Sequence, residues 1–186
     1  MAQDRRVVRT KTALTRALFE LLGEKEFSRI SITELAQRAN VDRKTFYLHY
    51  HSVEEILEAF YEDALAQLQA GLAQERVFGD QVDIPGFFRV LGSIMADNMP
   101  LYRRLAQGSG YTYFMERLRA LLKNAVENAL RGQGDRDEVH IRLCAEVYAA
   151  GSMRAYLEWL KGELPLDEEQ FASQIGQLVD RGLSLS

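Results

Sequence analysis

Apolar residues recur at intervals of three and four along most of this chain, and this spacing restricts the possible folds more than any other feature. Three stretches show it most clearly: Leu14, Ala17, Leu18, Leu21 and Leu22; Ile56, Leu57, Phe60, Ala64, Leu65 and Leu68; and Phe114, Leu118, Leu121, Leu122 and Ala125. Such spacing places apolar side chains on one face of an α-helix. No sustained alternation of apolar and polar residues indicates a strand. The sequence therefore predicts an all-α protein.

Local signals mark where the helices begin. Ser31–Glu34 and Ser52–Glu55 fit the capping box, Asp167–Gln170 is an acidic version of it, and Asp42 can cap a helix that begins at Arg43. Together with the breaks between apolar stretches, these signals predict about nine helices. The first three, at 6–23, 32–39 and 43–49, are short and closely connected.

Charge is divided unevenly along the chain. Residues 1–51 carry ten Lys and Arg against six Asp and Glu, whereas residues 52–186 carry 13 against 21. A basic segment joined to an acidic body suggests that the basic part meets a polyanion such as nucleic acid. We therefore expect one domain at 1–51 and a second, larger helical domain at 52–186.

The second and third predicted helices are separated only by Asn40, Val41 and Asp42, which is the form of a helix-turn-helix. Ala36 is small where the two helices approach, and Asn40 tolerates the left-handed backbone that such a turn often needs. The expected small core comprises Leu18, Leu22, Phe27, Ile32, Leu35, Ala39, Val41 and Phe46. The same pattern also fits a helical hairpin without a role in DNA binding.

Basic and hydroxyl side chains on the third predicted helix favour DNA binding. Arg43 and Lys44 lie at its N-terminus, the end that enters the major groove, and Thr45 can reach a base edge or a phosphate. Tyr47 and His49 can hydrogen-bond to phosphate oxygens. Further candidate contacts are Arg5, Arg6 and Lys11 before or within the first helix, Thr33 on the second, and Ser52 at the start of the fourth.

Residues 9–60 resemble the DNA-binding head of TetR-family transcriptional regulators, and the segment Thr45-Phe46-Tyr47-Leu48-His49-Tyr50 carries the resemblance. By this resemblance Thr45, Tyr47 and His49 take the family's DNA-contact roles, and Arg43 and Lys44 fall at its variable base-reading positions. Two positions depart from the family pattern. Asn40 replaces the usual turn glycine, and Val53 stands where a phosphate-binding lysine is common.

The resemblance also implies that residues 52–186 form dimers through the last two helices and often hold an effector cavity. Small residues between Ala145 and Ser152 would allow close helix packing, and Phe171, Ile175, Leu178, Val179 and Leu183 form an apolar face. Packing inside a monomer is the alternative. The segment around Gly151 and Trp159 shows a weaker resemblance to a subgroup that includes regulators of dihydroxyacetone metabolism.

Aromatic and apolar residues with a few polar groups make a small-molecule site conceivable in this region, although ordinary core has the same composition. The candidates are Phe87, Leu91, Met95, Tyr102, Tyr113, Phe114, Leu118, Cys144 and Tyr148. The expected function is a homodimeric repressor that binds a near-palindromic operator and is released by an unknown small molecule. A transcriptional activator and a helical adaptor without DNA binding are the alternatives.

Other classes of function find little support. His49 and His51 lack the neighbouring ligands of a metal site, and Cys144 lies in an apolar helical stripe. No phosphate-binding glycine loop or nucleophile elbow is present, so we expect neither an enzyme nor a cofactor. With one cysteine, no signal peptide and no membrane span, a cytoplasmic protein is expected.

Overall fold

The computed structural model describes the backbone of residues 2–78, 82–108, 111–132 and 137–185, and the side chains of these ranges from Arg5 to Gly182. These ranges contain nine α-helices: α1 (Ala2–Glu24), α2 (Ile32–Arg38), α3 (Arg43–Tyr47), α4 (Val53–Gln74), α5 (Ile84–Met95), α6 (Met99–Ala106), α7 (Thr112–Gly132), α8 (Glu138–Leu160) and α9 (Glu168–Leu185). The predicted all-α class is confirmed. Within the described ranges, no helix is long and apolar enough to cross a bilayer.

The chain divides into two compact units. The first contains Met1–Asp63 and Pro100–Tyr111, and the second contains Ala64–Met99 and Thr112–Ser186. Helix α4 begins in the first unit and ends in the second, and α6 belongs to the first. The predicted boundary between residues 51 and 52 separates a DNA-binding domain from a regulatory domain. It stays a prediction, because the compact units are defined by contacts within the chain and not by function.

The core of the first unit forms where α1, α2 and α3 meet. Leu18, Leu22, Leu35 and Phe46 are buried, as the sequence predicts. The other four expected members, Phe27, Ile32, Ala39 and Val41, are partly exposed, since they lie at the edges of the short elements. Arg38 also joins α2 to α1 by donating from both terminal nitrogens to the Glu24 carboxylate, at 2.8 and 3.0 Å.

The predicted helix caps are present. Ser31 Oγ accepts from the Glu34 N–H at 3.3 Å, and Ser52 Oγ accepts from the Glu55 N–H at 3.2 Å. Asp167 and Gln170 cap each other reciprocally, because each side chain accepts from the other's backbone N–H. Short-range hydrogen bonds of this kind depend on few residues, which is why the sequence alone indicates them.

In the second unit, α7 packs along α8 and α5 packs along α9. Phe88, Tyr156, Trp159 and Phe171 form an aromatic cluster with ring centroids 5.2 to 5.7 Å apart. The Tyr156 hydroxyl donates to Met95 Sδ at 3.1 Å. Gly176 allows Pro85 to approach closely, because a side chain there would collide with the proline ring. These contacts make α5, α8 and α9 one packed layer.

Candidate nucleic-acid interface

The turn between α2 and α3 depends on a left-handed residue. Asn40 has φ of +53°, as expected from the sequence, and its N–H donates to the Gln37 carbonyl at 3.1 Å. The Val41 N–H donates to the Ala36 carbonyl at 3.0 Å and closes the turn. Asparagine accepts this conformation more readily than most residues other than glycine. The turn therefore sets the direction in which α3 leaves α2.

Two features hold α3 in place. Asp42 caps its N-terminus, since its Oδ1 accepts from the Thr45 N–H at 2.7 Å and its Oδ2 accepts from the Thr45 hydroxyl at 3.0 Å. These bonds to the charged form, led by the one from the backbone N–H, hold the pKa of the Asp42 carboxyl below its usual range. Phe46, fully buried, anchors the opposite side of the helix. Thr45 is thus engaged in the cap.

The outer side of α3 carries the predicted base-reading residues. Arg43, Lys44 and Tyr47 are exposed, and the Arg43 guanidinium lies 6.0 Å from the centroid of the Tyr47 ring. Tyr47 packs edge-on against Phe46 with ring centroids 5.5 Å apart. The Tyr47 ring therefore contacts the buried Phe46 ring and lies at the outer limit of a cation–π contact with Arg43.

The end of α3 differs from the sequence prediction. The helix stops at Tyr47 rather than at residue 49, with Leu48 as its C-cap. His49 is half-buried, and Tyr50 is buried, which raises the pKa of its phenol. Lys11 of α1 lies 5.6 Å from the centroid of the Tyr50 ring, so it is held near this end of α3.

The remaining candidate contacts lie on α1, α2 and α4. Arg5 and Arg6 are exposed and lie within α1, because this helix begins at Ala2 rather than at residue 6 as predicted, and their contact with DNA stays a prediction. Thr33 is exposed in the first turn of α2. Ser52 caps α4, and Val53, where the family often has lysine, is buried.

An acidic group also occupies the start of α4. Glu55 Oε2 accepts from the His51 backbone N–H at 2.8 Å and lies 3.3 Å from His51 Nδ1. The backbone hydrogen bond, followed by the ring, lowers the pKa of the Glu55 carboxyl. This carboxylate takes the His51 N–H and places a negative charge at the start of α4, which would repel a phosphate there, and this counts against a phosphate contact through Ser52.

One exposed residue of the same surface is not among the predicted contacts. Leu48 has 78% of its surface exposed and stands beside Tyr47. Its position four residues after Lys44 puts the two on one face, since the Leu48 N–H donates to the Lys44 carbonyl at 3.1 Å. The helical spacing from Lys44 could have indicated it.

The predicted effector-site residues differ in exposure, and one of them belongs to the first unit. Phe87, Leu91, Met95, Phe114, Leu118 and Cys144 are buried in the second unit, Tyr148 is half-buried, Tyr113 is 42% exposed, and Tyr102 is buried in the first unit. The second unit also contains a cavity of about 400 Å³, and the residues that line it lie outside the predicted set. It is lined by Gln69, Leu72, Ala73, Arg76, Phe78 and Leu121.

Comparisons with known proteins agree with this arrangement. A family model described as bacterial regulatory proteins, tetR family, matches residues 14–60, and one described as a transcriptional regulator C-terminal region matches residues 83–181. The "uncharacterized HTH-type transcriptional regulator YxbF" of Bacillus subtilis (strain 168) is 39% identical over 66 residues. That match spans 35% of this chain but only 17% of the relative's length.

Solved structures share the whole fold. The "Dihydroxyacetone kinase operon activator DhaS" is 18% identical with a TM-score of 0.65, over 95% of this chain and 97% of that one. The TetR-family repressor FadR of Thermus thermophilus, solved with lauroyl-CoA, is 22% identical with a TM-score of 0.62, over 91% and 92%. A TetR-family regulator of Syntrophomonas wolfei is 16% identical with a TM-score of 0.67, over 95% of each chain.

Proposed function

Because the chain belongs to the TetR family of transcriptional regulators, we propose that it is a repressor that binds a near-palindromic operator as a homodimer and releases it when a small molecule binds. DNA binding and regulation of transcription, rather than catalysis, follow from the family itself. The observation that carries the proposal is the outer face of α3, where Arg43, Lys44 and Tyr47 are exposed above a buried Phe46. The proposal places the protein in the cytoplasm, where bacterial operator DNA lies.

Exposed apolar side chains on α8 and α9 favour the proposed homodimer. Val139, Leu143 and Val147 recur every fourth residue on one face of α8 and are 72%, 62% and 58% exposed, and Leu178 of α9 is 68% exposed. Four large apolar side chains on two adjacent helices form the kind of patch that a partner subunit covers. Phe171, Ile175 and Val179 of the predicted apolar face are buried in the same subunit, and the Leu183 side chain lies outside the described residues.

The small residues of α8 fall into two groups, one buried within the subunit and one exposed. Ala145, Ala149 and Ser152 are buried, so they serve packing within the subunit. Gly151 is exposed with open space around its α-carbon and is available to a partner helix. A two-fold dimer would present two α3 helices to successive major grooves, about 34 Å apart, and hence read a near-palindrome.

Effector binding is proposed for the second unit. The predicted set, from Phe87 to Tyr148, remains a proposal, but the cavity beside Leu121 offers open volume. Its size of about 400 Å³ falls in the range of about 300 to 1,000 Å³ that is usual for small-molecule sites. Among the described residues that line it, Gln69 and Arg76 are the polar ones. An apolar ligand bearing one anionic or polar group matches these walls.

Two variants distinguish the locations. Leu121→Trp should fill the cavity and abolish release from the operator by the effector, while the affinity of the effector-free protein for the operator stays unchanged. Tyr113→Ala is the matched variant in the predicted set, because Tyr113 is exposed and its truncation leaves the core intact. If Tyr113→Ala loses the effector response and Leu121→Trp keeps it, the effector site lies at the predicted set of residues and not at the cavity.

Selection of random duplex DNA by the purified protein, followed by affinity measurements at two salt concentrations, tests the proposed function. A palindromic consensus with strongly salt-dependent binding is the expected result. Failure to enrich any sequence with folded, dimeric protein would refute operator binding by the free protein. A reporter gene behind the selected site then separates repression from activation, because deletion of the regulator raises expression only in the first case.

A further inference from the structure

Leu48 is the most exposed large apolar side chain in the described part of the chain, at 78%. It lies on the first unit, away in sequence from the α8 and α9 patch that the dimer would cover. Neighbouring Phe46 and Tyr50 are buried, with ring centroids 6.3 Å apart, so Leu48 is the apolar residue of this segment that faces solvent. A single exposed leucine is common on protein surfaces, but this one lies at the end of the predicted recognition helix, where burial against an apolar group of a partner would be favourable.

Leu48 lies on the same face of α3 as Lys44, a predicted base-reading residue. Its backbone is still right-handed helical, with φ of −72° and ψ of −17°, and its N–H continues the helical pattern to the Lys44 carbonyl. Lys44, Tyr47 and Leu48 thus occupy positions i, i+3 and i+4 of one face, and all three are exposed. Lys44 is a predicted base-reading residue and Leu48 lies one helical turn after it, so this side of α3 would reach the base edges in the major groove, with Tyr47 contacting a phosphate at its margin.

The chemistry of the side chain selects its partner. An aliphatic group can neither hydrogen-bond to a base edge nor neutralise a phosphate. The 5-methyl group of thymine is the apolar feature that standard base pairs present in the major groove. Apolar contact between Leu48 and this methyl removes both from water, whereas any other base would leave the leucine against polar edge atoms.

We propose that Leu48 is a specificity-determining residue that selects one thymine in each half-site through its 5-methyl group. This inference rests on the proposed operator binding. The proposed role differs from that of Lys44, which carries a charge. It also differs from that of Tyr47, whose predicted phosphate contact carries no sequence information. Leu48 should therefore affect base preference without affecting the number of phosphates that the protein neutralises.

The test uses the selected operator with each thymine replaced in turn by deoxyuridine, which lacks only the 5-methyl group. Wild-type protein should lose about fourfold in affinity per half-site at one thymine position, from the loss of one methyl contact. Leu48→Ala removes the contact from both half-sites, so it should lose roughly 16-fold in affinity on the unmodified operator and become insensitive to deoxyuridine there. Leu48→Met, which keeps an apolar side chain of similar length, should restore the sensitivity.

Two readouts separate base reading from a structural role. The dependence of affinity on salt should be the same for wild type and Leu48→Ala, and so should the melting temperature, because the side chain is exposed. If no thymine position responds in the wild type, or if Leu48→Ala stays sensitive, the inference is wrong although operator binding stands. If no operator is selected at all, the proposed function fails and the inference falls with it.

Discussion

Replacing Leu143 with glutamate should dissociate the proposed dimer without unfolding the subunit. Leu143 is 62% exposed on α8, between Val139 and Val147. Full burial of a leucine contributes about 1.5 to 3 kcal/mol, so the part still exposed in the subunit accounts for about 1 to 2 kcal/mol when a partner covers it. A two-fold interface contains the residue twice, and the loss is therefore about 2 to 4 kcal/mol, or roughly 30- to 800-fold in the dissociation constant. An unpaired carboxylate in the interface adds to this.

Sedimentation velocity over a concentration series measures the effect, with far-ultraviolet circular dichroism to show that the helices persist. Leu48→Glu is the matched control, because it places the same charge on another exposed leucine. This control should remain as dimeric as the wild type but lose operator affinity, since its charge faces the DNA. If Leu143→Glu dimerises like the wild type at every concentration, the exposed stripe of α8 is not the subunit interface.

Further predictions concern the first unit. Arg43→Ala should cost about 1 to 3 kcal/mol of operator binding and relax the preference at one or two base pairs, whereas Tyr47→Phe should weaken binding to all sequences alike; a changed consensus for Tyr47→Phe would contradict these roles. Asn40→Gly should keep the stability measured by urea unfolding, while Asn40→Val should lose about 1 to 2 kcal/mol, because φ is +53°. Phe46→Ala should destabilise the first unit by about 3 to 5 kcal/mol in the same assay, and a loss below about 1 kcal/mol would show that Phe46 is no anchor. Because the pKa of Asp42 is lowered by its capping hydrogen bonds, its contribution is present above the unfolded value and lost as pH falls through the folded one. The melting temperature should therefore drop below about pH 4 more steeply in the wild type than in Asp42→Asn, which keeps a cap but cannot titrate.

The sequence by itself determines the features that depend on neighbouring residues. The caps at Ser31, Ser52 and Asp167 and the left-handed turn at Asn40 involve groups within a few positions of one another. The helical class follows for the same reason, because the apolar spacing is local. The match to the family lies in such short-range patterns, concentrated between residues 45 and 50.

Only the tertiary structure decides which of several apolar or polar faces turns outward. Helix α8 has apolar residues on every side. The sequence pattern alone therefore cannot distinguish Leu143, which is exposed, from Ile141 and Ala145, which are buried. The separation depends on α7 and α9 packing against one side of α8, and those contacts join residues far apart in the chain. The cavity beside Leu121 and the exposure of Leu48 are decided in the same way. Burial depends on the residues that surround a side chain in space, and the local sequence does not determine which residues those are.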